Sequence, residues 1–113
     1  MLTLTTRAQL RRAALDPALD PHLRALLRLR FEQLGGVGAH LHVVQPGDTL
    51  ADADAAIGWR MTDEEQPCWE WCKHHPGGWT EVTFVLSDDG PAQVLLVPTD
   101  ACPAILDVIR AHA

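Results

Sequence analysis

With 113 residues, 47% of them hydrophobic and 21% charged, the chain has material for one core and is too apolar for a disordered segment. The net charge of −6 is unevenly spread: up to residue 34 six arginines face three acids, and beyond it three basic residues face twelve acids. A nucleic-acid binder needs a dense basic face to neutralise phosphates, and this balance argues against one.

The start, MLTLTTRAQLRR, lacks the basic and then apolar regions of a secretory leader. No apolar run reaches the ~20 residues of a membrane span. The three cysteines, Cys68, Cys72 and Cys102, are a poor disulfide framework. The expectation is a reduced, cytoplasmic chain with no membrane partner.

Thr6 and Gln9 stand in capping-box spacing and predict a helix over about 7–15, which Asp16-Pro17 interrupts. Asp20 as cap, Pro21 at the first helical position and the stop Gly35-Gly36 predict a second helix over 21–34. Leu23, Leu26, Leu27, Phe31 and Leu34 form its apolar stripe, and Arg24, Arg28 and Glu32 read as a solvated face. Together these make an N-terminal helical segment over 1–35.

Residues 39–45 read as a strand. Pro46-Gly47 turns the chain, and Asp48 or Thr49 caps a helix over about 49–57 that Gly58 stops. After an acidic loop, Pro67 opens a short helical candidate, PCWEWCKHH at 67–75, that Pro76-Gly77-Gly78 would end. Residues 79–87 alternate apolar and polar, with Val82, Phe84 and Leu86 on one face and Glu81, Thr83 and Ser87 on the other. Asp88-Asp89-Gly90 is a hairpin signal leading into 92–98. That strand is apolar on both faces, which predicts a central place, or helices on one face and a partner on the other. Thr99 or Asp100 caps a last helix over about 101–112. The reading is a single α+β domain with a small three-stranded, mostly antiparallel sheet (39–45, 79–87, 92–98) and helices packed on it.

VVQPGDTL, at 43–50, is similar to the opening of a LysM glycan-binding module. The helix then carries Ala53-Asp54 where LysM wants an Ile-Ala pair, and the second half of that module does not follow Gly58. A tight turn with a good N-cap explains the match.

Cys68 and Cys72 with His74 and His75 are the metal-ligating candidates, since cysteine and imidazole are the ligands zinc prefers. On a helix Cys68 and Cys72 share a face, but CxxC pairs are missing. Small core cysteines, with histidines in a last helical turn, account for the same residues. No cofactor is therefore expected, with zinc as the alternative. His40-x-His42 resembles the HxH of cupins, but the chain has too few strands for that barrel. No catalytic motif is present: the chain has no G-x-S-x-G elbow, P-loop, GxGxxG or HExxH.

Trp59, Trp69, Trp71 and Trp79 hold most of the aromatic area, in a chain with no tyrosine and two phenylalanines. They are the candidate binding residues, because tryptophan is a frequent interface anchor; closing a small core is the competing use.

Trp69-Glu70-Trp71, Gly77-Gly78-Trp79, Glu81 and VLSDDG at 85–90, with the apolar strand ending in Pro98, resemble a group of short uncharacterised bacterial proteins sharing the pattern WEW…GGW.E…VLSDDG. The resemblance implies no activity, cofactor or site residue, and suggests an accessory gene, sometimes of a mobile element. The functional expectation is a non-enzymatic domain that binds a protein partner or forms a homodimer. The alternative is a small-ligand or zinc binder using 59–79.

Overall fold

A computed structural model describes residues 1–33, 39–62, 69–85, 90–100 and 103–112. The caps expected at the first and third helices form, Thr49 and not Asp48 serving at the third, while the start expected for the last helix at residue 101 lies outside the described residues. Thr6 Oγ1 accepts from the Gln9 amide at 3.2 Å, and Gln9 Oε1 accepts back from the Thr6 amide at 3.2 Å, opening α1 (Arg7–Ala14). Pro21 opens α2 (Pro21–Gln33). Thr49 and Asp52 make the same reciprocal box at α3 (Leu50–Ile57), and Gly58 at φ 75° closes it. The last helix is α4 (Pro103–His112).

The strands are β1 (Leu2–Leu4), β2 (Ala39–Val43), β3 (Trp69–His75), β4 (Trp79–Phe84) and β5 (Ala92–Pro98). They lie in the order β1-β2-β5-β4-β3. β2 and β5 are parallel, and the other neighbouring pairs are antiparallel. The fold is α+β with a mixed sheet.

Alternation along β5 divides the core in two. Val94 and Leu96 pack with Leu41, Leu10, Leu23 and Leu27, beneath α1 and α2. Leu95 and Val97 pack with Val82, Phe84, Ile57 and Ile105, beneath α3 and α4. A strand covered by helices on both faces must be apolar on both, which explains AQVLLVP. The central place predicted for this strand is correct. The premise for self-association through an uncovered face of it is not, because helices cover both faces.

Two elements differ from expectation, and the three-stranded sheet becomes five-stranded among the described residues. The segment 67–75 is not a helix: Trp69–His75 is the edge strand β3, hydrogen-bonded to β4 in antiparallel register. Pro76-Gly77-Gly78, read as a helix stop, closes a hairpin, with Gly77 and Gly78 at φ 85° and 82°. Tryptophan favours a pleated surface, and β4 supplies hydrogen-bond partners that an isolated helical turn would lack. The second difference is β1, whose three residues are too few to show a period. Residues 34–38, 63–68, 86–89 and 101–102 lie outside the described residues, so the expected ends at Leu34, Pro67, Ser87 and Ala101 do too.

Candidate functional site

The parallel pairing of β2 and β5 brings their carboxyl ends to one edge of the sheet. β4 runs antiparallel to β5, with Trp79 opposite Pro98, so the β3–β4 turn reaches the same edge. The α1–α2 connection crosses there as well. Between these parts lies a cleft of about 550 Å³, lined by Ala18 to Asp20 with Leu23, Val43 to Pro46, Gly77 to Trp79 and Pro98 to Asp100. The carboxyl ends of parallel strands are where open α/β sheets commonly bind ligands, and the volume lies within the usual range for small-molecule sites.

Close backbone packing shapes the cleft. The Thr99 amide donates to the Gly78 carbonyl at 2.7 Å, tying the β3–β4 turn to the end of β5. A Cβ on Gly78 would lie 2.8 Å from Thr99 Oγ1, and one on Gly77 would overlap the His22 imidazole. Trp79 is buried against α1 and α2, and its indole Nε1 donates to Asp20 Oδ2 at 2.7 Å. That bond, together with bonds from the His22 and Leu23 amides, holds the Asp20 carboxyl below its ordinary range. Asp20 therefore stays an anion while anchoring the start of α2 to the sheet.

Beneath the same two helices, Glu81 is fully buried on β4. Arg30 on α2 forms a salt bridge with it, Nε donating to Oε1 at 3.0 Å and Nη2 meeting Oε2. His75 Nε2 lies 3.1 Å from the same Oε1. Burial pushes the His75 pKa down, and the charges of Lys73 and Arg30 add to this, so the neutral ring donates to the carboxylate. On the other sheet face, buried His42 bonds Gln93 Oε1 through Nε2 at 2.6 Å, and Thr3 Oγ1 through Nδ1 at 3.1 Å. Both ring nitrogens are therefore engaged inside the fold.

Of the predicted tryptophans, the two whose side chains are described, Trp59 and Trp79, lie on opposite faces of the sheet. Trp79 lines the cleft. Trp59 is half-buried against the α3–α4 core, on the opposite sheet face. Trp69 and Trp71 take strand positions on β3 with a bulge between them, and their side chains lie outside the described residues. Of the metal candidates, Cys68 lies outside the described residues. Cys72 is partly buried against the α3–α4 core, and burial raises its pKa, favouring the thiol. His74 follows Cys72 on the same face of β3, its Nδ1 3.0 Å from Thr80 Oγ1, while His75 turns to the other face. The strand thus sets Cys72 and His74 on one face and His75 on the other. Among the described residues, no three His, Cys, Asp or Glu side chains are placed to share a metal.

The cleft itself was not predicted. Its lining comes from four separated stretches, which the parallel register of β2 and β5, the antiparallel register of β4 and β5 and the Trp79–Asp20 bond bring together. Comparison with protein-family models, with curated proteins and with solved structures finds no match to the chain.

Proposed function

We propose that the chain is a small-molecule-binding domain, non-catalytic, whose site is the cleft at the carboxyl ends of β2 and β5. The observation that carries this reading is a recess of about 550 Å³ with an apolar lining and a few convergent polar groups: Asp20, Gln45, Thr99 and Asp100. Its walls are tied together by the Thr99–Gly78 and Trp79–Asp20 bonds, so the recess is formed before a ligand arrives. Titration of the 15N-labelled protein with a fragment library tests it. The expected result is shifts at the amides of Gly77, Gly78 and Thr99 and at the Trp79 indole, abolished by Gln45→Trp in a protein that still folds. A library that leaves those signals unmoved overturns the reading.

A second reading keeps the protein partner expected from the tryptophans and moves it to β3. This seven-residue strand ends the sheet and carries Trp69 and Trp71, so a partner strand could add beside it. The bulge and exposed Lys73 are features that discourage such pairing, which is why the cleft is preferred. Protection of alternate β3 amides from exchange in a pulled-down complex would favour this second reading.

A further inference from the structure

We infer that the ligand of this cleft is an organic cation: an apolar or aromatic body bearing a protonated amine. The inference rests on the reading of the cleft as a binding site and adds the charge of its occupant. Among the described residues, the charged side chains in the lining are Asp20 and Asp100, with no lysine, arginine or histidine in that lining. His22 is exposed and packs against Gly77 at the rim.

The N-terminus of α2 opens toward this recess, and a bare helix N-terminus would favour an anion. Here Asp20 already occupies it, accepting from Trp79 and from the amides of His22 and Leu23. The end that could have drawn a phosphate or carboxylate presents a fixed negative charge instead. Asp100, just past the end of β5, adds a second to the same lining. Both carboxylates are exposed to solvent, so their field is felt mainly at low salt: an anionic ligand would meet two like charges, and an ammonium group two acceptors. Leu19, Pro46 and Pro98, each at least partly exposed, offer apolar surface for the rest of the molecule.

The test uses three probes with one indole body and different charge: tryptamine, N-acetyltryptamine and indole-3-acetate. Each is titrated into the 15N-labelled full chain at low salt, following Gly77, Gly78, Thr99 and the Trp79 indole. Tryptamine is expected to bind about ten-fold tighter than its neutral analogue, with the acid weakest, and added salt should narrow the margin. Asp100→Asn should lower tryptamine affinity about five-fold and shrink its advantage over N-acetyltryptamine. Equal affinities, or tightest binding by the acid, would overturn the cationic assignment while leaving the cleft as a site. If tryptamine leaves the cleft signals unmoved while other fragments shift them, the cationic inference alone fails. If no fragment shifts them, the binding reading beneath it fails as well.

Discussion

Glu81 shows how strongly one side chain can be held by its surroundings. Its carboxylate is fully buried, with Arg30 and His75 as partners. Glu81→Gln keeps the shape and removes the negative charge that faces the largely buried Arg30 guanidinium. Breaking a buried pair from one side typically costs about 3 kcal/mol or more, whereas replacing both partners with apolar residues costs far less. Urea midpoints should therefore fall clearly for Glu81→Gln and much less for the double change Glu81→Leu with Arg30→Met. A double variant as unstable as the single one would show that the pair itself stabilises the fold. The titrating partners are the imidazoles. Burial lowers the pKa of His42 in the folded protein, and that of His75 moves the same way. Below the ordinary imidazole value of about 6.5 the unfolded chain binds protons that the folded chain resists. Stability should thus be full above that pH and fall as pH drops through it toward the folded values; Asp20 and Asp52, also lowered, lose theirs further down. Urea midpoints from pH 7.5 to 5 check this, and His42→Gln should flatten part of the slope. The alternation of 79–87 correctly set Glu81 opposite Val82 and Phe84, but alternation alone does not say whether the second face is wet. The doubly apolar β5 beside it was the signal that both faces are covered.

At the scale of elements, helix starts were legible because capping is local chemistry: Thr6 with Gln9 is read within four residues, and Asp48-Thr49 marks the start of α3, where the structure uses Thr49 and adds Asp52 as its reciprocal partner. β3 was not, because Pro67 and Pro76-Gly77-Gly78 can bracket a helix or close a hairpin equally well. The choice is made by β4, which pairs with it only after the chain has turned. The two glycines of that turn have different duties from Gly47. All three have positive φ, but a Cβ at Gly47 meets nothing within 4 Å, while one at Gly77 overlaps His22. Gly47→Ala should cost about 1 kcal/mol, the strain of a left-handed backbone alone. Gly77→Ala adds the overlap and should cost about 2–3 kcal/mol. Removing the imidazole with His22→Ala should recover only the excess over Gly47→Ala. Thermal unfolding of the four proteins tests the order, and equal losses at Gly47 and Gly77 would show that the hairpin yields around the added methyl.

At the scale of the whole molecule, one sheet serves two half-cores. The helices α1 and α2 cover one face, α3 and α4 cover the other, and β5 contributes Val94 and Leu96 to the first and Leu95 and Val97 to the second. The α+β class could be read from the order of elements, but the two-sided cover could not. It depends on β1 and β2 extending the sheet beyond β5, and on the parallel join between β2 and β5, which involves partners about fifty residues apart. Because β5 is common to both layers, neither can lose its packing without exposing the other's central strand. A domain of this size has roughly 5–15 kcal/mol of stability in total, and large-to-small changes such as Leu95→Ala typically cost 2–5 kcal/mol. The layers should therefore unfold together even when only one is damaged. Trp79 reports the α1–α2 layer and Trp59 packs against the α3–α4 layer, so 5-fluorotryptophan placed at both gives each half its own fluorine resonance. In urea the two folded signals should disappear with one midpoint in the parent chain, and again with one lower midpoint in Leu95→Ala, although that change touches only the Trp59 side. If Leu95→Ala shifted the Trp59 signal and left the Trp79 midpoint in place, the layers would be separate folding units and β5 would not be the element that couples them.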